Sequence, residues 1–343
     1  MLKVRRNLIT ITLAMVGIMM STSHAKPDLT TPVDMSMLHA KDTGYRFVHH
    51  TFMAPAPQIP YSGKPDLQTK TAQSYAKPRH YQVWLGIPKQ PFAHKPANNA
   101  NLPNKIIYML DGNAAIDDLD KDRLYALSHS SPQNAAPILV FIGYQTPYRF
   151  DVDARAYDYT PPLLLTETGS KNAFQEDGRD RLNGGAEHFY SLIENEIKPW
   201  VYQQLGTKPK QEAIWGHSYG GLFVLYTLFK HPEAYEQYFS ADPSLWWQNG
   251  EMTRYWRAYQ DMPKSHSSEQ SKITQLRLTF SQSPKQTTTP VTVEADVAIP
   301  LSKQAFAEEV CTHFKDNCRY QFFDQSHGEL FKTSLLESLD SLQ

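Results

Sequence analysis

The stretch Gln211-Glu-Ala-Ile-Trp-Gly-His-Ser-Tyr-Gly-Gly-Leu-Phe-Val-Leu-Tyr-Thr-Leu-Phe229 decides the fold of this chain. It begins with a short run typical of a buried strand, passes through Gly216-His217-Ser218-Tyr219-Gly220, and continues as an apolar helix. The pattern Gly-x-Ser-x-Gly between a strand and a helix predicts a tight turn that lifts the serine hydroxyl out of the sheet. We expect only hydrogen to fit at Gly216 and Gly220. We also expect the helix to direct its positive N-terminal end at Ser218.

Further apolar runs predict the rest of the sheet. Residues 105–110 and 136–142 are continuous apolar runs separated by a helix-length segment, which indicates parallel strands covered on both faces. Residues 79–87 alternate between polar and apolar, which predicts an edge strand. The fold class is therefore α/β, a mostly parallel central sheet with helices on both faces. Its remaining predicted elements are a strand at 44–53, a helix at 186–205 that Pro199 either kinks or shortens, strands at 238–241, 273–280 and 319–323, and helices at 247–259, 301–314 and 329–339.

The chain is long enough to form one large domain, and its charge excludes some partners. It has 343 residues with a net charge of −1, so no overall field favours nucleic acid or an anionic membrane. The first 25 residues have the pattern of a secretory signal: a basic start, an apolar centre at 8–20, and Ser23-His24-Ala25 as the cleavage site. The apolar centre is too short for a stable membrane anchor. We expect a single domain over 26–343 in the periplasm or outside the cell.

Two cysteines occur, Cys311 and Cys318. In an oxidising compartment a pair this close in sequence either forms one disulfide bond or remains as two thiols, and the sequence leaves both open. No metal site and no cofactor are predicted, because the chain lacks His-Glu-x-x-His and its histidines do not pair with cysteines at zinc-site spacing.

Polar residues at the predicted strand ends suggest serine chemistry. Ser218 is the candidate nucleophile, and a serine hydroxyl needs a base within hydrogen-bond reach. His327 follows the last strand, in the chain order of α/β hydrolases, and is the candidate base; His217 is discounted because it points elsewhere on the turn. Backbone N–H groups of Tyr219 and Asn113 are the candidate oxyanion donors.

The third member of a catalytic triad is not decided by the sequence. The strand before that of His327 ends in Ser281-Gln-Ser-Pro284, with no carboxylate until Glu294 and Asp296. Asp242, after the strand that follows the Ser218 helix, is another candidate to orient His327. A backbone carbonyl in place of an acid is an equal alternative.

Residues 144–183 lack a regular pattern and are rich in aromatic and basic side chains. A segment of this length without regular structure inside a domain is usually functional. We interpret it as a lid or substrate loop, with ordinary packing as the alternative.

Several short segments together resemble the α/β-hydrolase esterases of the enterochelin and salmochelin (ferric siderophore) type. They are Tyr-Met-Leu-Asp-Gly-Asn at 108–113, Ile-Gly-Tyr at 142–144, Arg155 with Asp158-Tyr-Thr-Pro161, Gly184-Gly185, Gly216-His-Ser-Tyr-Gly-Gly221, Pro243-Ser-Leu-Trp-Trp247 and Ser326-His-Gly328. The resemblance implies catalysis by Ser218 and His327, and substrate contacts from Arg155. It also implies a small-molecule ester substrate, a ferric siderophore of the catecholate trilactone type.

The chain departs from this family at two positions. Where many relatives carry a glutamate after the penultimate strand, this chain has Ser281-Gln-Ser-Pro284, and where they usually have Ser-Pro-Ser, it has Asp242-Pro-Ser244. Three hypotheses follow: an exported serine esterase acting through an acyl-enzyme, a non-catalytic binding protein on a hydrolase fold, and an acyltransferase. The missing acid motivates the second.

Overall fold

The computed structural model describes residues 30–56, 77–89, 105–129, 136–162, 175–176, 181–262, 273–282 and 300–342. The strands in these residues are β1 Tyr45–Ala54, β2 Arg79–Pro88, β3 Lys105–Met109, β4 Ile138–Tyr144, β5 Gln175–Glu176, β6 Arg181–Leu182, β7 Gln211–His217, β8 Gln237–Ala241, β9 Gln275–Ser281 and β10 Cys318–Phe323. The α-helices are α1 Gly112–Asp117, α2 Lys121–His129, α3 Val152–Asp158, α4 Ala186–Leu192, α5 Lys198–Leu205, α6 Tyr219–Lys230, α7 Glu251–Gln260, α8 Lys303–Phe314 and α9 Glu329–Asp340.

Eight of the described strands form one sheet in the order β1-β2-β4-β3-β7-β8-β9-β10. From β4 to β10 each neighbouring pair is parallel, whereas β1 pairs with β2 and β2 with β4 in antiparallel fashion. The mostly parallel sheet is therefore confirmed. The edge position predicted for β2 is wrong, because β1 covers its outer side and is itself the edge strand. The polar–apolar alternation of β2 arises from unequal burial of its two faces, not from a free edge.

Two apolar layers cover the sheet, one on each face. Helices α3 to α8 pack on one face, where α6 supplies an almost unbroken apolar surface, and α1, α2 and α9 pack on the other. The central strands are buried on both sides, which explains why their sequences are continuous apolar runs. This arrangement is that of the α/β hydrolases, and it places the carboxyl ends of β3, β7, β8, β9 and β10 along one edge.

The predicted helix at 186–205 is continuous but changes geometry. Between α4 and α5 the segment Ile193–Ile197 is a π-helix, and Pro199 lies in the first turn of α5. A proline has no N–H to donate to the carbonyl four residues earlier, so the regular α-helical ladder is interrupted here.

The segment 144–183 is not without regular structure. It contains the helix α3, which Asp151 caps by accepting from the backbone N–H of Ala154, and the short strands β5 and β6. The sequence missed α3 because its apolar positions are few and its aromatic and charged side chains dominate the pattern. Residues 163–174 and 177–180 lie outside the described part.

Cys311 in α8 and Cys318 in β10 form a disulfide bond. This resolves the alternative that the sequence left open. The predicted signal at 1–25 lies outside the described residues. In the part of the chain that the structure describes, every helix is too short or too polar to span a bilayer.

Candidate active site

Ser218 occupies the turn between β7 and α6, as predicted. Its backbone lies at φ 61° and ψ −115°, a conformation with positive φ that L-residues rarely adopt. Two backbone bonds fix the turn: the N–H of Ser218 donates to the carbonyl of Ala241, and that of Ser244 donates to the carbonyl of Ser218. Strain of this kind persists only where the surrounding structure enforces it, and it is typical of active sites.

The glycines around Ser218 have different roles from those expected. A Cβ at Gly216 would lie 2.5 Å from backbone atoms of Gly220, so only hydrogen fits there. A Cβ at Gly220 would meet nothing closer than 3.6 Å, so the same expectation for Gly220 is wrong. The tight position in the helix is Gly221 instead, where a Cβ would lie 2.9 Å from the carbonyl oxygen of Ala241. The reason is that Gly221 faces the neighbouring strand β8, whereas Gly220 faces the end of β3.

Ser218, His327 and Asp242 form one continuous chain of hydrogen bonds. Nε2 of His327 lies 3.0 Å from Oγ of Ser218, and Nδ1 of the same ring lies 2.6 Å from Oδ2 of Asp242. An ionised carboxylate can only accept, so we assign the ring hydrogen to Nδ1. The lone pair of Nε2 then faces the Ser218 hydroxyl, which is the arrangement that a general base requires.

Asp242 is the carboxylate that the sequence left undecided. It follows β8, has a positive φ of 38°, and is almost fully buried. Its two oxygens accept from four groups: Nδ1 of His327, the Nζ of Lys303 at 2.6 Å, and both the N–H and the hydroxyl of Ser281. The other two candidates, Glu294 and Asp296, lie outside the described residues.

The environment of Asp242 favours its charged form. Burial alone opposes ionisation, but the hydrogen bond from His327 and the ammonium of Lys303 outweigh it, so that the pKa of Asp242 lies below its ordinary value. The carboxylate is thus ionised throughout the pH range in which His327 could act as a base.

The two departures from the family pattern lie in contact. The hydroxyl of Ser281 donates to Oδ2 of Asp242 at 2.6 Å, so the two positions at which the resemblance implied a departure meet at one carboxylate. Each departure was visible in the sequence, but the two are about forty positions apart, and their complementarity appears only when β8 and β9 are paired.

His217 is buried beneath His327 and does not contact the Ser218 hydroxyl, in agreement with its exclusion as the base. Its ring centroid lies 4.5 Å from that of His327. Burial first, and then the nearby His327, lower the pKa of His217 well below the ordinary value. Within the described residues its Nε2 has no hydrogen-bond partner. His217 is therefore a neutral ring that supports the base from below.

Ser244 is a contact that the sequence did not single out. Its hydroxyl lies 3.1 Å from Oγ of Ser218, and its side chain is buried. Because the Ser218 hydroxyl donates to Nε2 of His327, the Ser244 hydroxyl is the donor in this pair and holds Oγ of Ser218 in place.

The structure places the two predicted oxyanion donors at the starts of two helices. Tyr219 is the first residue of α6 and Asn113 the second residue of α1, and N–H groups at these positions have no carbonyl within their own helix. The side chain of Asn113 is otherwise engaged: it donates to the carbonyls of Tyr144 and Thr146 and accepts from the N–H of Tyr144. Only its backbone N–H is suited to the predicted role, which stays a prediction.

Arg155, the predicted substrate contact, binds other parts of the site. Its Nε and Nη2 donate to the two oxygens of Asp111 at 2.9 and 2.8 Å, and Nη2 also lies 3.4 Å from the carbonyl oxygen of His217. Asp111 precedes α1 in a left-handed conformation. Arg155 therefore connects the loop that carries Asn113 to the turn that carries Ser218. Its contact with substrate stays a prediction.

Among the described residues one group of side chains has the spacing of metal ligands: His217, Asp242 and His327, whose nitrogen and oxygen atoms lie within 4.8 Å of one another. The ammonium of Lys303 touches the same carboxylate, and a fixed positive charge at this distance opposes a divalent cation. The hydrogen-bonded order of Ser218, His327 and Asp242 fits proton transfer instead.

Comparisons to known proteins agree with the fold. Residues 89–340 match the model of the Esterase family, described as "Putative esterase". The chain belongs to this family. Among its curated relatives, the apo-salmochelin esterase of Escherichia coli is 41% identical over 168 residues, which are 49% of this chain and 48% of that protein. The siderophore enterobactin esterase of Emericella nidulans is 29% identical over 241 residues, 68% of this chain and 75% of the relative.

The chain is also similar, over most of its length, to a solved structure of the enterobactin hydrolase IroE in complex with DFP. That structure is 26% identical, covers 90% of this chain and 98% of its own, and has a TM-score of 0.61. By contrast, this chain spans about half the length of the apo-salmochelin esterase and 60% of the ferri-bacillibactin esterase of Bacillus subtilis. The resemblance to siderophore esterases inferred from short segments is confirmed, and so is the α/β-hydrolase fold.

Proposed function

We propose that this protein is an exported serine hydrolase that cleaves the ester bonds of a siderophore through an acyl-enzyme. The observation that carries the proposal is the hydrogen-bonded chain from Asp242 through His327 to Ser218. It supplies a nucleophile, a base and an orienting acid in the order that acyl transfer requires.

The proposed reaction has two halves. Oγ of Ser218 attacks the ester carbonyl while its proton passes to Nε2 of His327, and the imidazolium is stabilised by Asp242. The bond from the carbonyl carbon to the alcohol oxygen then breaks, and the alcohol leaves with the proton from His327. A water molecule repeats the sequence on the acyl-enzyme, releasing the carboxylic acid and the free hydroxyl of Ser218.

In this proposal, the backbone N–H groups of Tyr219 and Asn113 donate hydrogen bonds to the negatively charged oxygen of the tetrahedral intermediate. Both belong to the first turn of a helix, where the helix dipole adds positive potential. Arg155 supports the arrangement, because its bonds to Asp111 and to the carbonyl of His217 tie the two helix starts together.

A siderophore substrate is supported by the names of the relatives and by the surface around the site. The relatives include esterases named for salmochelin, bacillibactin and enterobactin. Trp246 follows Ser244 by two residues, is 45% exposed, and its ring centroid lies 6.1 Å from that of Tyr219. An exposed indole beside the nucleophile offers a face for an aromatic ring, so we propose an aromatic, catecholate trilactone substrate.

Export is proposed from the basic, apolar and small-residue pattern of residues 1–25. The disulfide bond between Cys311 and Cys318 is compatible with an oxidising compartment. N-terminal sequencing of the protein purified from the periplasm tests this part, with a mature start near Lys26 as the expected result.

The hypothesis of a binding protein rested on a missing acid, and Asp242 removes that motivation. No specific observation favours an acyltransferase.

The test measures hydrolysis of a nitrophenyl ester and of a catecholate trilactone, together with labelling of Ser218 by a fluorophosphonate probe and mass-spectrometric mapping of the labelled residue. We expect turnover of both esters and a single label on Ser218, with the Ser218→Ala variant inactive and unlabelled. Hydrolysis of the nitrophenyl ester alone would remove the siderophore substrate, and a folded protein that is neither active nor labelled would remove the esterase function.

A further inference from the structure

Lys303 is the first residue of α8 and lies beside the acid of the site. Its ammonium is 2.6 Å from Oδ1 of Asp242 and 3.2 Å from the hydroxyl of Ser281. A cation in the first turn of a helix is opposed by the helix dipole, which favours negative charge there. The helix dipole therefore does not stabilise a lysine at this position. The contact with the carboxylate of Asp242 does.

Lys303 and His327 bind different oxygens of the same carboxylate. His327 is on Oδ2 and Lys303 on Oδ1, so neither excludes the other. The hydroxyl and N–H of Ser281 complete the set. These three partner residues belong to β9, to α8 and to the turn after β10, so three different parts of the fold hold the carboxylate.

In the resting enzyme, the buried carboxylate of Asp242 requires a positive charge nearby. A general base must be neutral before the reaction, and a neutral imidazole leaves the buried charge of Asp242 without a counter-charge. Burying an uncompensated carboxylate is costly, and the ordinary response is protonation of the acid. Resting on the function proposed above, we propose that Lys303 is a positioning residue: it keeps Asp242 ionised and oriented while His327 is neutral.

Lys303 should also affect the pH dependence of the reaction. Lys303 offsets part of the negative charge of Asp242 that faces His327, so removal of its ammonium should favour the protonated ring of His327 over the neutral one. The other charged or titratable groups near His327 are either neutral or paired with another residue. His217 below the ring is kept neutral by burial, Arg155 is paired with Asp111, and Glu329 accepts from the N–H and hydroxyl of Ser326.

The experiment compares Lys303→Met, Lys303→Gln and Lys303→Arg with wild type. The readout is the rate of Ser218 labelling by a fluorophosphonate probe between pH 5 and 9, with kcat/KM for a nitrophenyl ester as a second profile. Methionine removes the charge and the hydrogen bond, glutamine removes the charge but keeps a donor, and arginine keeps both. Lys230→Met, an exposed lysine at the end of α6, controls for loss of one positive charge elsewhere, and thermal unfolding reports whether each variant is folded.

We expect the acidic limb of both profiles to move to higher pH by about half a unit to one unit in the Met and Gln variants. The Arg and Lys230→Met variants should keep the wild-type profile. A folded Met or Gln variant with an unmoved acidic limb overturns the role of Lys303, as does an equal shift in Lys230→Met. The function itself is judged on wild type alone, because absence of labelling in the unmodified protein contradicts the serine mechanism and not only the role of Lys303.

Discussion

The carboxylate of Asp242 accepts a 2.6 Å hydrogen bond from Nδ1 of His327, although the two residues follow strands that are not neighbours. Between β8 and β10 lies β9, whose last residue Ser281 donates to the same carboxylate instead of carrying the acid itself. A triad can therefore be completed from the strand end next to the nucleophile, provided that the intervening strand ends in a small donor.

Loss of the Asp242 carboxylate should reduce turnover strongly. In Asp242→Asn the amide no longer fixes the ring hydrogen on Nδ1, so we expect kcat to fall by about 10²- to 10⁴-fold with little change in KM. The same holds for Asp242→Ser, which removes the carboxylate. Steady-state kinetics on a nitrophenyl ester measure this, with Asp261→Asn, an exposed acid at the end of α7, as the matched control. Activity close to wild type in both Asp242 variants would show that the acid is not used.

Arg155→Lys distinguishes a structural from a substrate-binding role for Arg155. Lysine keeps the charge but cannot form the two parallel bonds to Asp111, so we expect kcat/KM to fall by about tenfold to a hundredfold for both a small nitrophenyl ester and a catecholate trilactone. Asp111→Asn should behave similarly, and the double variant should lose no more than either single variant. A loss confined to KM for the catecholate substrate would instead support the contact with substrate expected from the sequence.

Trp246→Ala should affect aromatic substrates selectively. If the exposed indole stacks on the substrate, its removal raises KM for a catecholate or benzoyl ester by about three- to tenfold and leaves an acetyl ester unchanged. The comparison of these esters is the measurement. Tyr320→Ala serves as the control, because Tyr320 is a similarly exposed aromatic residue on β10. Equal effects on aromatic and aliphatic esters contradict the stacking role.

The burial of His217 predicts that the free energy of unfolding decreases as the pH falls. Its pKa in the folded protein lies below its ordinary value because the ring is buried, so the unfolded chain binds more protons at this residue once the pH falls below about 6.5. Stability contributed by neutral His217 is complete above that pH and is lost as the pH falls, by up to about 1.4 kcal/mol per pH unit.

The measurement is chemical unfolding between pH 7.5 and 5 for wild type, His217→Asn and the exposed-site control His80→Asn. We expect the acid-induced loss of stability to be smaller in His217→Asn and unchanged in His80→Asn. Parallel curves for wild type and His217→Asn would show that His217 does not titrate on unfolding.

Local sequence determined those parts of this protein that depend on neighbouring residues. The positive φ of Ser218 and the tight packing at Gly216 follow from a strand, a turn and a helix encoded in one stretch, and buried parallel strands are readable as apolar runs because both their faces are covered. His327 was identifiable because its position after the last strand is fixed by chain order. The burial of β2 was not readable, since its alternating pattern is the same whether or not β1 pairs with its outer side.

Only the tertiary structure decided which carboxylate orients His327, what Arg155 binds, and why Lys303 begins α8. These contacts join residues about 40 to 85 positions apart through the ends of different elements. Periodicity and turn propensity describe a residue's own element, and they carry no information on which strand ends become neighbours. The energies of buried charges depend on that arrangement, because a carboxylate such as Asp242 is stable in its ionised form only when its partners from other strands and helices are in place.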